Sequence, residues 1–338
     1  MKVYAAIEDP RLPLREVPAY AARAERLGFT GLLVPEAVHD AFLVAALALE
    51  HTRTLVVATS VALAFPRSPT TVAYAAWDLQ ALSDGRFVLG LGSQVKGNIV
   101  GRFGVAWAAP VPRMRDYVAA VRAVWRCWQD GAALSVDSPH YRLTRMQPFF
   151  NPGPIDHPDI AICLGAVNPR MTHLAGEAAD GLMTHPTNTS PRYLREVVAP
   201  ALARGAARRH RAVPGVIAST FVATGPDAAA VDRERERLRQ YLGFLYSTPQ
   251  YWATLDLLGE GEVGRQLHQM ARAGQWAEMP GLITAPLFDE LVTSGGYADI
   301  APLLRERYAG LVDAVTLRMP DDPRHDDAFR RVVAAVQT

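Results

Sequence analysis

Residues 83–92 read Ser-Asp-Gly-Arg-Phe-Val-Leu-Gly-Leu-Gly, which is a helix end followed at once by a buried strand. Gly85 can take the left-handed conformation that ends a helix. That helix begins at Ser68-Pro69, a capping hydroxyl followed by proline at the first helical position. Phe87 to Gly92 has no polar alternation, which is typical of a strand covered on both faces. The stretch therefore predicts one unit of a parallel sheet with helices packed on it.

Similar units recur along the chain. The predicted strands are Val3–Ile7, Gly31–Val34, Leu55–Thr59, Phe87–Gly92, Ile160–Gly165, Gly181–Thr184, Val216–Val222 and Ala314–Leu317. Strands that alternate with helices imply parallel pairing, in either a closed barrel or an open doubly wound sheet. Periodicity does not show closure, but eight units favour the barrel. We therefore predict an α/β protein with the (β/α)8 TIM-barrel fold.

Three stretches interrupt the repeat. Residues 93–112 form a glycine-containing loop, residues 131–158 hold short alternating runs that predict a hairpin, and residues 243–296 predict a helical insertion. Loops of this length are usually functional or disordered, and the aromatic residues of the third stretch argue against disorder. We expect one barrel domain over residues 1–338 that carries these three insertions.

Composition excludes several classes of function. The 338 residues include 35 Lys and Arg and 34 Asp and Glu, so the net charge of +1 lacks the basic surplus of nucleic-acid binders. No run approaches the roughly 20 apolar residues of a membrane span, and no signal peptide precedes the first strand. Cys127 and Cys163 are interpreted as buried side chains in a reducing compartment. We expect a cytoplasmic protein without nucleic-acid or membrane partners.

Metal and hydrolase chemistry are both disfavoured. The nine histidines show no HxH or HExxH spacing, and no carboxylate trio accompanies them, so no metal site is expected. Ser60 lacks the GxSxG context of a nucleophilic serine.

In a (β/α)8 barrel, the active site lies at the carboxyl ends of the strands. We single out the polar or glycine residues at six of the eight predicted ends. These are Glu8-Asp9, Glu36 with His39-Asp40, Ser60-Val61, Gly92 with Gln94 and Lys96, Gly165 to Asn168, and His185 to Thr189. The clustering predicts the location of the site but does not name its reaction.

Several of these residues also fit a structural role. Glu8 would fit an ion pair with an arginine at the barrel rim, and Asp40 would fit the cap of the helix that follows it. Asn168 would fit a helix start, although the small residues before it would also let the backbone approach a phosphate. His185 would fit a structural hydrogen bond as well as a cofactor contact.

The segment 83–92, with Ala58 to Val61 and Arg67 to Pro69, resembles the signature region of the luciferase-like flavin and deazaflavin oxidoreductases. The resemblance extends over nearly the whole chain. It includes Trp77 to Leu79, Arg113 to Tyr117, Ala175 to Gly181, Ser247 to Tyr251 and Gly274 to Met279. The last two segments resemble an actinobacterial branch that depends on coenzyme F420. The resemblance thus implies F420 as cofactor, with flavin mononucleotide (FMN) as the alternative.

The resemblance also implies site residues. It places a non-proline cis peptide bond at or beside Ser60-Val61, behind the tricyclic ring of the cofactor. It implies that the backbone of the loop after the fifth strand binds the cofactor phosphate. The cofactor contacts it implies are Glu36, Asp40, Ser60, Val61, Gly92, Gln94, Lys96, Gly165, Ala166, Val167, Asn168 and His185. Glu8 and His39 are the candidate proton donors or acceptors.

Three functions remain open on the sequence. The first is an F420-dependent oxidoreductase that transfers a hydride to or from a small organic substrate. The second is a monooxygenase that uses reduced FMN and oxygen, and the third is a barrel that has lost its chemistry and acts as a binding protein. Relatives pair through early barrel helices, so we also expect a homodimer formed through Ala41–Glu50 and Thr70–Leu82.

Overall fold

The computed structural model describes residues 1–338. Its strands are β1 (Lys2–Ala6), β2 (Gly31–Val34), β3 (Val56–Thr59), β4 (Ala62–Leu63), β5 (Phe87–Gly92), β6 (Val136–Asp137), β7 (Arg142–Leu143), β8 (Ala161–Ala166), β9 (Gly181–Thr184), β10 (Gly215–Ala218), β11 (Phe221–Gly225), β12 (Val292–Gly296) and β13 (Ala314–Thr316).

The helices flank these strands. They are α1 (Val17–Arg26), α2 (Ala41–Glu50), α3 (Pro69–Leu82), α4 (Lys96–Gly101), α5 (Pro110–Asp130), α6 (Pro169–Ala178), α7 (Pro191–Tyr193), α8 (Ala199–Ala207), α9 (Ala228–Tyr246), α10 (Ala253–Leu258), α11 (Gly261–Ala273), α12 (Ala285–Leu291), α13 (Ile300–Tyr308) and α14 (Asp326–Gln337). None of them combines the length and apolar character needed to cross a membrane.

Eight strands close into a parallel barrel. Their order is β1-β2-β3-β5-β8-β9-β10-β13, and β13 pairs with β1. The pairing of Val57 with Phe87 joins β3 to β5 and completes the ring. Closure confirms the predicted (β/α)8 barrel and excludes the open sheet. A core of 63 buried residues includes apolar side chains of the barrel strands and of the helices around them.

The third barrel strand breaks before it ends. β3 stops at Thr59, and β4 continues along β5 after a cis peptide bond between Ser60 and Val61. The resemblance implied a cis bond at this place. The hydroxyl of Thr59 donates to the Gly90 carbonyl oxygen (2.8 Å) and accepts from the Gly90 N–H (2.9 Å). Thr59 therefore ties the broken strand to β5 through its side chain.

The predicted strand Val216–Val222 is wrong as a single element. β10 stays in the barrel, whereas β11 leaves it and pairs in parallel with β12. Thr220 fixes the turn between them: its N–H donates to Oγ1 of Thr316 (2.9 Å), and its hydroxyl donates to the Thr316 carbonyl (2.7 Å). The sequence pattern does not indicate the break, because the segments of β10 and β11 are both largely apolar.

The three interrupting stretches fold in different ways. The first contains the helix α4 where a loop was expected, and the second contains the expected hairpin, with β6 antiparallel to β7. The third is largely helical, as expected, but ends in the strand β12. Its apolar residues join those of β11 and α9 in a separate cluster of 14 buried residues. This cluster holds α9 beside the carboxyl end of the barrel.

Candidate functional site

Two adjoining cavities open at the carboxyl ends of the barrel strands. Cavity A, about 550 Å³, lies at the ends of β5, β8 and β9. Cavity B, about 470 Å³, lies at the ends of β1, β2 and β13. Ser60, His185, Pro186 and Ser219 line both cavities, so they form the partition between them. The site therefore has room for two ligands that meet at this partition.

Cavity A collects most of the residues that the sequence singled out. Ten of the predicted cofactor contacts line it: Ser60, Val61, Gly92, Gln94, Lys96, Gly165, Ala166, Val167, Asn168 and His185. They come from four strand ends that are far apart in the chain. The barrel brings them together because parallel strands all end at the same rim.

The floor of cavity A is a valine side chain that lies over two glycines. A Cβ at Gly92 would lie 2.3 Å from Cγ2 of Val61, and a Cβ at Gly165 would lie 3.0 Å from Cγ1 of Val61. Both glycines therefore leave the space that Val61 occupies. The missing side chain of Gly165 makes room for this valine, and the N–H groups free for an anion lie further along the loop.

One end of cavity A is the amino terminus of α6. Oδ1 of Asn168 accepts the N–H of Met171 (3.0 Å) and so caps the helix. The N–H groups of Val167, Asn168 and Arg170 have no acceptor in the protein. Unpaired N–H groups and the helix dipole both favour an anion at this place. Asn168 thus has the predicted capping role at a position that is also suited to bind a phosphate.

His185 forms a neutral wall between the cavities. Its Nδ1 lies 2.7 Å from Oγ1 of Thr187, and its ring stacks on that of Tyr251 with 4.2 Å between centroids and 12° between planes. Burial lowers the pKa of His185 to about 4. The imidazole is therefore uncharged near neutral pH and offers Nε2 as a polar atom without a net charge.

Cavity B contains the acid that follows β1. Oε2 of Glu8 lies 2.9 Å from Nε of Arg318 and 3.9 Å from Nη2 of Arg237. Burial raises the pKa of Glu8, and the lowering effect of the two arginines does not cancel this rise. The side chain is still 42% exposed, since it lines cavity B. Glu8 thus has the arginine partner considered from the sequence, and it also lines a cavity in which a ligand can bind.

Glu36, His39 and Asp40 do not line either cavity. Glu36 lies 2.7 Å from Nη1 of Arg67 and accepts the N–H of Leu63 (2.8 Å). Asp40 lies 2.6 Å from Nη2 of Arg67 and caps α2. Partial burial raises the pKa of Asp40, but hydrogen bonds from Arg67 and the backbone hold it below its usual range. These three residues therefore lie outside the lining of both cavities, and two of them form ion pairs with Arg67.

The sequence missed three residues that shape the site. Arg318 lies two residues after β13, so the strand-end rule could have found it. Arg237 comes from α9, and no motif marks it. Tyr251 belongs to the third insertion, where the aromatic residues served only as an argument against disorder, yet it lines cavity A against His185.

Comparisons with known proteins agree with this architecture. The family described as luciferase-like monooxygenase matches residues 2–314. The uncharacterized protein Rv1360 of Mycobacterium tuberculosis is 42% identical over 297 residues, 87% of each chain. The putative coenzyme F420-dependent oxidoreductase Rv3520c of the same organism is 32% identical over 293 residues, 81% of this chain and 82% of the relative.

Two solved structures illustrate the shared fold. The coenzyme F420-dependent tetrahydromethanopterin reductase of Methanopyrus kandleri superposes with a TM-score of 0.80 at 19% identity and covers 100% of this chain and 98% of its own. The EDTA monooxygenase of Chelativorans sp. BNC1 superposes with a TM-score of 0.73 at 14% identity and covers 100% and 93%. At these identities the likeness concerns the fold.

Proposed function

Since this chain belongs to the luciferase-like monooxygenase family, we propose that it is an oxidoreductase that transfers a hydride between coenzyme F420 and a small organic substrate. The relative of 32% identity, which is named for F420, supports the choice of cofactor. The observation that carries the proposal is cavity A, which joins an apolar floor, the side chain of Val61, to a set of free N–H groups. A flat ring with an anionic side chain needs both features.

The residues of cavity A fit such a cofactor. The free N–H groups of Val167, Asn168 and Arg170 would bind its phosphate, and Val61 would support one face of its ring. Gln94 and Lys96 lie on the same cavity and would bind its edge or side chain. When bound, the deazaflavin supplies or accepts the hydride at a ring carbon, while the protein positions it and the substrate.

The substrate would occupy cavity B. The partition residues Ser60 and His185 border both cavities, so a ligand in cavity B would lie against the ring in cavity A. Glu8 would then donate or remove the proton that accompanies the hydride. Its raised pKa keeps part of the carboxyl population protonated at a higher pH than usual.

Titration of the purified protein with F420 and, separately, with FMN tests the proposal. We expect the absorbance spectrum of F420 to shift with saturation and that of FMN to remain unchanged. Saturable binding of FMN alone would replace the proposal with the flavin monooxygenase. Binding of neither would favour a barrel that acts as a binding protein.

Asn168→Asp should weaken cofactor binding without loss of stability. Aspartate caps a helix as well as asparagine does, so the hydrogen bond to the Met171 N–H can remain. Its negative charge would repel the phosphate, and we expect the Kd for F420 to rise at least about tenfold, or about 1.4 kcal/mol. Fluorescence titration and thermal unfolding measure the two effects.

Asn151→Asp is the matched control for that experiment. Asn151 also accepts a backbone N–H, that of Gly153 (2.9 Å), and lines neither cavity. The substitution Asn151→Asp adds the same charge elsewhere on the protein, so the Kd for F420 should stay unchanged. An equal rise in Kd for both variants would indicate an effect of net charge, and no rise in either would move the phosphate site away from α6.

We also predict a homodimer formed through α2 and α3. Leu43 on α2 is 59% exposed and Leu82 on α3 is 48% exposed, which leaves apolar area on neighbouring helices. A stable interface buries roughly 1,600 Å² in total. Light scattering should give the mass of a dimer, and Leu43→Glu should give a monomer. Val213→Glu, at a residue of similar exposure on another surface, should leave the dimer intact. A monomeric wild-type protein at micromolar concentration would contradict the prediction.

A further inference from the structure

Four aromatic side chains form a continuous strip that leads out of cavity B. We call Phe221, Tyr241, Phe244 and Trp276 the aromatic strip. Phe221 and Tyr241 line cavity B. Successive ring centroids are 6.2, 6.4 and 6.3 Å apart along the strip, which ends at Trp276. The strip thus starts inside the cavity and ends on the surface.

The outer rings of the strip are unusually open to water. Phe244 is 53% exposed and Trp276 is 52% exposed, although a core of 14 buried residues lies beneath the same helix. Arg237, Tyr241 and Phe244 follow one another at helical spacings of four and three, so α9 presents them on one side. Single exposed apolar residues are common in proteins, but contiguous ones that continue a cavity are typical of a binding surface.

The charges of cavity B limit what can lie there. Arg318 is paired with Glu8 (2.9 Å) and with Asp321 (2.6 Å), and Arg237 is paired with Glu234 (2.6 Å). Neither arginine is left as a free cation for a carboxylate or a phosphate. A ligand that enters past these pairs keeps them intact only if it is itself uncharged at that end.

From the strip and the charge pairs we infer the class of substrate. We propose that the protein takes a neutral, ring-bearing substrate whose body lies on the aromatic strip while its reacting carbon lies in cavity B. Flat rings stack on Tyr241 and Phe244, whose planes lie 14° apart, and meet Trp276 at the outer end. The placement of the reacting carbon rests on the proposed function, whereas binding of the body to the strip does not.

Equilibrium dialysis of the cofactor-free protein against 2-acetonaphthone, a neutral aryl ketone, tests this inference. The double variant Phe244→Ala/Trp276→Ala should raise the Kd of the ketone at least about tenfold, since two stacking partners are removed. Trp276→Phe keeps a ring and should stay close to the wild-type Kd. The control Phe149→Ala removes a phenylalanine that is 90% exposed and lines neither cavity, so it should leave the Kd unchanged. Thermal unfolding of all variants checks that the fold is intact.

Three outcomes would overturn the inference. An unchanged Kd in the double variant would show that the strip does not bind the probe. Equal affinity for 2-naphthoate, which has the same ring system and a carboxylate, would contradict a neutral substrate. Dissociation of a dimer in the double variant, seen by light scattering, would make the strip a contact between copies of the chain. Because the dialysis contains no cofactor, failure of F420 to bind would overturn the proposed function and leave this result unaffected.

Discussion

Replacing Glu8 with glutamine should lower kcat by about 10²–10⁴-fold, the usual contribution of a general acid or base. Glutamine keeps the size of the side chain and its ability to accept a hydrogen bond from Arg318, so packing in cavity B changes little. The Kd for F420 should remain within about twofold, because Glu8 lines cavity B and not cavity A. Steady-state rates and a spectral titration measure the two quantities.

The pH profile should identify the role of Glu8 in that reaction. For reduction of the substrate, Glu8 must be protonated, so kcat falls as the pH rises through its pKa. For oxidation of the substrate, Glu8 must be ionised, so kcat falls as the pH drops through the same pKa. Because burial raises this pKa, the fall in kcat should in either case lie above the pH range in which an ordinary glutamate titrates. In Glu8→Gln this pH dependence of kcat should be absent.

His39→Asn is the paired variant for the same test. His39 lines neither cavity, so its replacement should leave kcat close to that of the wild type. A large loss in the His39 variant together with a normal Glu8 variant would reverse the assignment of proton transfer. Normal rates in both variants would mean that the proton comes from water or from the substrate itself.

The strand-end rule accounts for most of what the sequence predicted about the site. Ser60, Gly92, Gly165 and His185 each follow or end a barrel strand, and a parallel barrel carries all such positions to one rim. Local sequence patterns are enough to predict that these residues meet in cavity A, because strands and helices can be recognised in short segments.

What the sequence did not predict depends on contacts between distant segments. Arg237 reaches cavity B only because α9 packs on its own small core, and nothing near residue 237 indicates where that core lies. Glu36 and Asp40 follow a strand end as Ser60 does, but both pair with Arg67 and neither lines cavity A. A strand end is thus neither sufficient nor necessary for a place in the site, because contacts with distant segments decide which side chains line the cavities.

Thr59→Val should lower the free energy of unfolding by about 3 kcal/mol. The hydroxyl of Thr59 satisfies both the N–H and the carbonyl of Gly90, and Thr59 is fully buried. Valine has nearly the same shape but cannot bond either group, and each buried group without a partner costs roughly 1–3 kcal/mol. Water cannot replace the hydroxyl readily, because a Cβ placed at Gly90 would already lie 1.8 Å from the Thr59 carbonyl oxygen.

Urea unfolding of the cofactor-free protein, with the protein concentration held constant, measures this loss. Bound cofactor or a shifted dimer equilibrium would otherwise add to the stability. Thr59→Ser is the matched control: it keeps the hydroxyl, loses one methyl group and should cost only about 1 kcal/mol. A valine variant as stable as the serine variant would mean that the Gly90 groups find other partners. A valine variant that is much less stable would show that a single side chain joins β3 to β5 at the break where the floor of cavity A begins.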